Sequence, residues 1–164
     1  MFKFLILFGL FFTSLFAGQE SFPFLGITLS TQTIDTKQTA DSSEKETTFA
    51  LRYGQQTLDW RTIFTIEGDA NYKTFSVEID KILLDELFGS PKFRPYLGAT
   101  VGYIDYNNEQ ITKENGVYYG GDFGFIIYAS DNIDIDLSFH YYKCSDLEPL
   151  ERMQGLSLGF NFFY

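Results

Sequence analysis

Apolar and polar residues alternate along most of this chain, and this alternation limits its fold more than any other feature. Successive side chains of a β-strand point to opposite faces, so a period of two predicts a strand with one apolar face. The clearest case lies at the end of the chain, where every second residue of 156–164 is apolar. Eight segments are predicted as strands, at residues 22–33, 47–56, 59–67, 72–81, 93–104, 117–128, 132–143 and 154–164.

Charged residues within these segments avoid the apolar face. The opposite face otherwise holds mainly Gly, Ser, Thr, Ala and Tyr, and its charged or titratable members include Arg52, Arg61, Glu78, Asp122, Asp136 and His140. A soluble β domain, such as a lipocalin-like carrier, would turn the apolar face inward, whereas a membrane barrel turns it outward to lipid. Because a soluble barrel needs many Lys and Glu on its outer face, small residues with sparse charges favour the narrow lumen of a membrane barrel.

Residues 1–17 have the layout of a secretory signal peptide. Lys3 is followed by an apolar run, and Ala17 supplies a small residue at the predicted cleavage site. The alternative is a transmembrane anchor, but the run of about a dozen apolar residues is shorter than the roughly 20 that a spanning helix needs. We therefore predict two regions, a signal peptide at 1–17 and a barrel domain at 18–164.

The predicted connections between strands are mostly long on one side and short on the other. Long polar connections are predicted at 34–46, 105–116 and 144–153, and short ones at 55–58 and 129–131. Outer-membrane barrels have short periplasmic turns and longer extracellular loops. Two connections depart from this pattern, because the outer one around residues 67–72 is short and the inner one at 85–95 is long.

Composition excludes several classes of function. The chain of 164 residues carries a formal net charge of -10, which is unsuited to binding nucleic acid through its phosphates. The single Cys, Cys144, allows neither an internal disulfide nor a Cys-built zinc site, and we predict it as a free or blocked thiol at the start of an outer loop. One His and one Cys leave few ways to build a nucleophile with its base.

Three stretches resemble the small eight-stranded outer-membrane β-barrels of the OmpA/OmpX type. They are the signal peptide, the strand KFRPYLGATVGY at 92–103 and the final strand LSLGFNFFY at 156–164. The resemblance implies an all-β, eight-stranded antiparallel up-and-down transmembrane β-barrel in the outer membrane of a Gram-negative bacterium. It also implies contact with outer-membrane lipid and lipopolysaccharide, and recognition of the C-terminal strand by the outer-membrane assembly machinery.

An eight-stranded barrel is just wide enough for side chains to fill its interior, so we expect no general pore. Aromatic residues are predicted to fill this space, namely Tyr96, Tyr118, Tyr128, Tyr142 and Phe163. We expect Arg52 and Arg61 to form interior ion pairs, because buried charges must be paired. Their candidate partners are Glu78, Asp80, Asp122, Asp134 and Asp136.

Aromatic residues near the strand ends are predicted to lie at the lipid–water boundary, namely Tyr53, Trp60, Tyr72, Tyr103, Tyr119, Tyr141 and Tyr164.

The family also contains enzymes that modify lipid A, and a deacylase needs a Ser activated by His. Here Tyr142 stands two residues after His140, and Ser138 shares its face two residues before. Because that face is the predicted lumen, we predict a non-enzymatic structural, adhesion or surface-interaction role. The alternatives are a lipid A-modifying enzyme and a narrow channel.

We predict no catalytic residue, cofactor or metal ligand, since Asp131, Asp134 and Asp136 lack the glycine of a calcium loop. The sequence does not indicate the partner of the extracellular loops.

Overall fold

The computed structural model describes residues 20–36, 43–69, 72–83, 89–108, 111–145 and 150–164, and the predicted signal peptide at 1–17 lies outside them. Eight strands make up the described part of the chain, and no helix in it is suited to crossing a membrane. The strands are β1 (Phe22–Thr36), β2 (Ser43–Gln56), β3 (Trp60–Gly68), β4 (Tyr72–Ile82), β5 (Phe93–Asn108), β6 (Ile111–Tyr128), β7 (Ile133–Ser145) and β8 (Leu150–Phe163).

Each strand pairs with its neighbours in the sequence, and β1 also pairs with β8 to close the barrel. All eight pairings are antiparallel, and Leu29 of β1 faces Leu158 of β8 in the closing pair. Closure gives each described strand a hydrogen-bonded neighbour on both sides, which is the condition for a β-structure to cross a bilayer. The prediction of an eight-stranded up-and-down antiparallel barrel is confirmed.

The outer wall is apolar and exposed. We call it the apolar belt, and its large side chains include Leu25, Ile27, Leu29, Phe49, Leu51, Phe64, Ile66, Phe75, Leu97, Val101, Phe123, Leu137, Leu156, Leu158, Phe160 and Phe162. Leu51 and Leu156 are 57% and 60% exposed, whereas Arg61, Asp80 and Asp136 are fully buried. A soluble protein would bury the apolar face and expose the charges, so this arrangement excludes the soluble alternative and identifies the belt as the lipid-facing wall.

Aromatic side chains lie on the outer wall near both ends of the strands. Trp60 begins β3 and Tyr164 follows β8 at the inner end, while Tyr103 and Tyr141 lie towards the outer end. All four are exposed, as are Tyr53 and Tyr119, which agrees with the predicted positions at the lipid–water boundary. The side chain of Tyr72 lies outside the described residues.

The outer ends of the strands extend further than their sequence pattern predicts. Residues 105–116, predicted as a long loop, are mostly a continuation of β5 to Asn108 and of β6 from Ile111. Cys144, predicted at the start of a loop, lies within β7 and is buried. The backbone ladder continues here beyond the apolar belt, where no lipid imposes the alternation of apolar and polar residues.

Apolar side chains close both mouths of the interior. The outer cluster consists of Ile34, Ile104, Tyr118, Cys144, Leu150 and Met153, against which Tyr142 packs. The inner cluster consists of Ile82, Tyr96 and Ile126, against which Tyr128 packs. Four of the five predicted interior aromatic residues therefore lie in these clusters, while Phe163 is half-buried against Phe24. A polar middle section lies between the two apolar clusters.

Candidate functional site in the barrel interior

Asp136 of β7 is the centre of the polar section. Its Oδ2 atom lies 3.0 Å from Nη1 of Arg52 and 2.8 Å from Nη2 of Arg61. Its Oδ1 atom accepts a hydrogen bond of 2.8 Å from the hydroxyl of Tyr96. One carboxylate thus joins two guanidinium groups and a phenol, all of them within the barrel.

The two arginines extend this network across the barrel. Nε of Arg61 donates a hydrogen bond of 2.7 Å to Oδ2 of Asp80, and its guanidinium carbon lies 4.5 Å from the centre of the Tyr96 ring. Nη2 of Arg52 lies 3.5 Å from Oε1 of Glu78. Since the members come from β2, β3, β4, β5 and β7, the network ties five strands together. Removing one partner of such a buried pair costs about 3–5 kcal/mol, because the other charge is left uncompensated.

The predicted interior ion pairs are confirmed for three of the five candidate carboxylates, namely Glu78, Asp80 and Asp136. The other two have neutral partners. Oδ1 of Asp122 accepts a hydrogen bond of 3.2 Å from Thr100, and Oδ1 of Asp134 accepts one of 2.7 Å from Asn161. The interior thus contains both a tightly paired part and a part that is not balanced by arginine.

Three carboxylates converge beside the arginine network, and two of them, Glu78 and Asp80, also belong to its ion pairs. One oxygen of each of Glu78, Asp80 and Asp122 lies within 4.8 Å of the others, and we call these residues the carboxylate cluster. Asp80 and Asp122 meet over Gly98 of β5, where an added Cβ would overlap Oδ1 of Asp80 and Oδ2 of Asp122. These two oxygens have no hydrogen-bond partner among the described residues. A larger side chain at position 98 would therefore displace these two carboxylates from their present positions.

His140 lies beside the carboxylate cluster, and it is directly opposite Asp122 in the β6–β7 register. Its ring stacks on Tyr142, and its Nδ1 atom is hydrogen-bonded at 3.2 Å to Ser157, which in turn bonds Ser30 at 2.9 Å. The hydrogen-bonded serine is thus Ser157 rather than the predicted neighbour, Ser138. This His–Ser pair faces the interior, and the barrel wall separates it from the lipid.

A small polar cavity of about 50 Å³ lies in the polar section, between Arg52 of the ion-pair network and His140. Its lining includes Arg52, Glu78, Asp122, His140 and Ser157, and its volume suffices for a few water molecules. The cavity is much smaller than the 300–1,000 Å³ that sites for small organic molecules typically offer. It suits water or an ion rather than a substrate.

Sequence reasoning missed the neutral partners of the network. Thr100, Asn161 and Gly98 lie on the face predicted to be interior, but alternation does not indicate which of them meets which carboxylate. A second missed cluster lies towards the outer end, where Gln32 and Thr48 both donate hydrogen bonds to Glu67. The only available signal was the sharing of one face by polar residues of neighbouring strands.

Comparison with known proteins gives a likeness of fold. No family model matches the sequence, and the search of curated proteins found no match. The structure is similar to that of Neisserial surface protein A, with a TM-score of 0.65 and 15% identity over 87% of this chain and 97% of that one. It is also similar to OprH of P. aeruginosa, with a TM-score of 0.63 and 18% identity over 87% and 99% of the two chains.

A third similar structure is Ail of Yersinia pestis, solved in complex with the heparin analogue sucrose octasulfate. Its TM-score is 0.55, with 17% identity over 88% of this chain and 99% of that one. These are likenesses of fold, and the exposed apolar belt marks this barrel as one that spans a membrane. The chain has the fold of the small eight-stranded outer-membrane β-barrels, the OmpA/OmpX-like class.

Proposed function

We propose that this protein is a barrel without a general pore whose role is structural or surface-directed, carried by its lipid-facing wall and its outer end. The observation behind this proposal is the filled interior. The Arg52–Arg61–Asp136 network crosses the lumen, and apolar clusters lie above and below it. A solute would have to displace paired charges from a closed space, so the wall and the outer end are the surfaces through which the barrel meets partners.

Outward-facing cations at the outer end favour contact with lipopolysaccharide phosphates as part of this role. Lys143 of β7 and Arg152 of β8 face each other in the register, and both are exposed. Tyr141, two residues before Lys143, belongs to the aromatic boundary of the belt. Cations at this height are placed to meet anionic headgroups, which attract Lys and Arg near a membrane surface.

Recognition by the assembly machinery is proposed through β8. Its apolar face is exposed from Leu156 to Phe162, and it closes the barrel against β1. β8 therefore exposes the alternating apolar residues that the sequence resemblance implies as the signal for the assembly machinery.

Conductance across a planar bilayer tests the absence of a pore. The folded barrel is expected to give no stable open-channel currents, and Asp136→Ala, which breaks the network, gives the matched comparison. Steady open-channel currents from the unmodified protein would support the narrow channel and overturn the proposal.

Envelope sensitivity to detergent, compared between cells with and without the gene, tests the structural part. If cells with and without the gene were equally sensitive to detergent and attached equally well, a structural or surface role would be contradicted.

The lipid A-modifying enzyme is the second candidate, because His140 and Ser157 are hydrogen-bonded. Its weakness is access, since both residues line the interior cavity. Mass spectra of lipid A from cells with and without the gene distinguish the two functions. We expect identical spectra, and a mass difference that is lost in Ser157→Ala would establish the enzyme instead.

A further inference from the structure

The charges buried inside the barrel do not balance. Seven buried residues are formally charged, five of them carboxylates (Glu78, Asp80, Asp122, Asp134 and Asp136) and two of them arginines (Arg52 and Arg61). The difference of five and two leaves three formal negative charges in a space closed at both mouths. Because an isolated buried carboxylate is costly, this surplus must be offset by protons or by a cation that enters the interior.

Two of the buried carboxylates bring unpartnered oxygens to one point. Oδ1 of Asp80 and Oδ2 of Asp122 lie against the bare Cα of Gly98, and neither has a hydrogen-bond partner among the described residues. Their residues are 0% and 4% exposed, so water from outside the barrel does not solvate them. His140, which is opposite Asp122 in the register and lines the same cavity, is 5% exposed, and its Nε2 atom also has no partner in the described part of the chain. Buried polar groups are normally satisfied, so unsatisfied atoms that converge indicate a missing ligand.

We propose that Glu78, Asp80 and Asp122 bind one divalent cation of the calcium class inside the barrel. Calcium takes oxygen ligands at about 2.3–2.6 Å, so two ligands on opposite sides of one ion lie up to about 5 Å apart. The three carboxylate oxygens lie within 4.8 Å of one another, which is inside this limit. This inference rests on the geometry of the interior and does not depend on the surface role proposed above.

The surroundings of the carboxylate cluster suit a hard cation. Glu78 and Asp122 also line the interior cavity, where water molecules can complete the 6–8 ligands that calcium takes. Asp80 bonds Arg61 through Oδ2 and keeps Oδ1 for the site, so the ion pair and the cation use different oxygens. Calcium is favoured over magnesium, because carboxylates fixed on two strands, β4 and β6, do not readily give the near-ideal octahedron that magnesium demands.

Binding is measured on residues 18–164 refolded from urea into detergent micelles, so that the ion can enter as the barrel closes. Terbium serves as the probe for calcium, because its luminescence is excited through nearby tyrosines, and Tyr118 and Tyr142 line the same cavity. We expect one terbium ion per barrel, displaced by calcium chloride. Asp122→Asn keeps the size of the side chain and removes one ligand charge, so it is expected to weaken binding by about tenfold or more.

Asp134→Asn is the matched control, because it removes the same charge from the same interior but outside the carboxylate cluster. Its affinity is expected to stay within about twofold of the unmodified barrel, since no ligand is lost. Gly98→Ala keeps every charge and fills the space between the carboxylates, so it is expected to abolish binding, with heat-shifted gel mobility reporting that the barrel folds. Equal affinities for Asp122→Asn and Asp134→Asn, or no saturable terbium signal in the unmodified barrel, would overturn the proposal.

Discussion

Asp136 and Asp122 are buried aspartates on neighbouring strands, yet their surroundings differ completely. Asp136 contacts two guanidinium groups and one phenol. Asp122 accepts one hydrogen bond from Thr100, and its second oxygen has no partner among the described residues. The first belongs to a network that ties strands together, whereas the second borders a cavity beside two other carboxylates. The barrel interior thus has a part held by paired charges around Asp136, the rigid half, and a part around Asp122 that borders a cavity.

Replacement of Asp136 should have the largest effect on stability. Asp136→Asn leaves Arg52 and Arg61 without their shared carboxylate, and breaking such a buried pair costs about 3–5 kcal/mol. Asp122→Asn, measured without added calcium, should cost much less, because it relieves repulsion within the carboxylate cluster. The free energy of unfolding in urea, in lipid vesicles, provides the measurement. Equal losses from the two variants would remove the distinction between the two halves.

A charge on the outer wall should have the next largest effect. Leu137 lies midway along the apolar part of β7, and Leu137→Arg would place a cation in hydrocarbon. An arginine at the bilayer midplane costs a transmembrane barrel about 2–4 kcal/mol. Asp131→Arg, in the exposed turn before β7, introduces the same cation outside the lipid and should leave the free energy of unfolding nearly unchanged. Similar unfolding of both variants would argue against lipid at position 137.

Removal of the Tyr96 hydroxyl sharpens the comparison within the rigid half. Tyr96→Phe deletes the hydrogen bond to Asp136 but keeps the ring beside Arg61. A hydrogen bond to a charged group contributes about 1.5–3 kcal/mol, so urea unfolding should show a loss in this range. Tyr141→Phe removes a hydroxyl from the exposed outer wall and serves as the control. A loss for Tyr96→Phe no greater than that for Tyr141→Phe would contradict a connected network.

Replacement of Lys143 should have the smallest effect on stability, and only in membranes that contain lipopolysaccharide. Lys143→Ala should destabilise the barrel by about 1 kcal/mol in vesicles that contain lipopolysaccharide, because one contact with anionic headgroups is lost. In vesicles of zwitterionic lipid the variant should unfold like the unmodified protein. High salt should remove the difference, since exposed charges are screened. Identical destabilisation in both lipids would contradict a phosphate contact.

The outer wall could be predicted from the sequence, because lipid imposes one rule on every strand. Alternation located the eight strands and the orientation of Arg52, Arg61 and Asp136, and it placed the inner ends of β1 and β2 correctly at 22 and 56. The outer end of β6 was missed by six residues, since it begins at 111 rather than 117. Polar residues occupy both faces there, so no alternation marks the strand.

The pairing inside the barrel could not be predicted, because it depends on strand register and on the space between side chains. The sequence offered five carboxylates as partners for two arginines, and only the structure separates Asp136 from Asp122. Ile34, Leu150 and Met153 were assigned to loops, so the outer apolar cluster also went unrecognised. The convergence over Gly98 involves three strands and has no local signal in the chain.

Contact between the outer wall and hydrocarbon is tested most directly by the fluorescence of a tryptophan at position 137. The chain has a single tryptophan, so Trp60→Phe combined with Leu137→Trp gives one reporter in the middle of the apolar belt. In vesicles of brominated lipid, we predict the strongest quenching when the bromines lie near the ends of the acyl chains. Aqueous iodide should have little effect. Efficient quenching by iodide, with none by deeply brominated lipid, would contradict the lipid-facing wall and the membrane barrel with it.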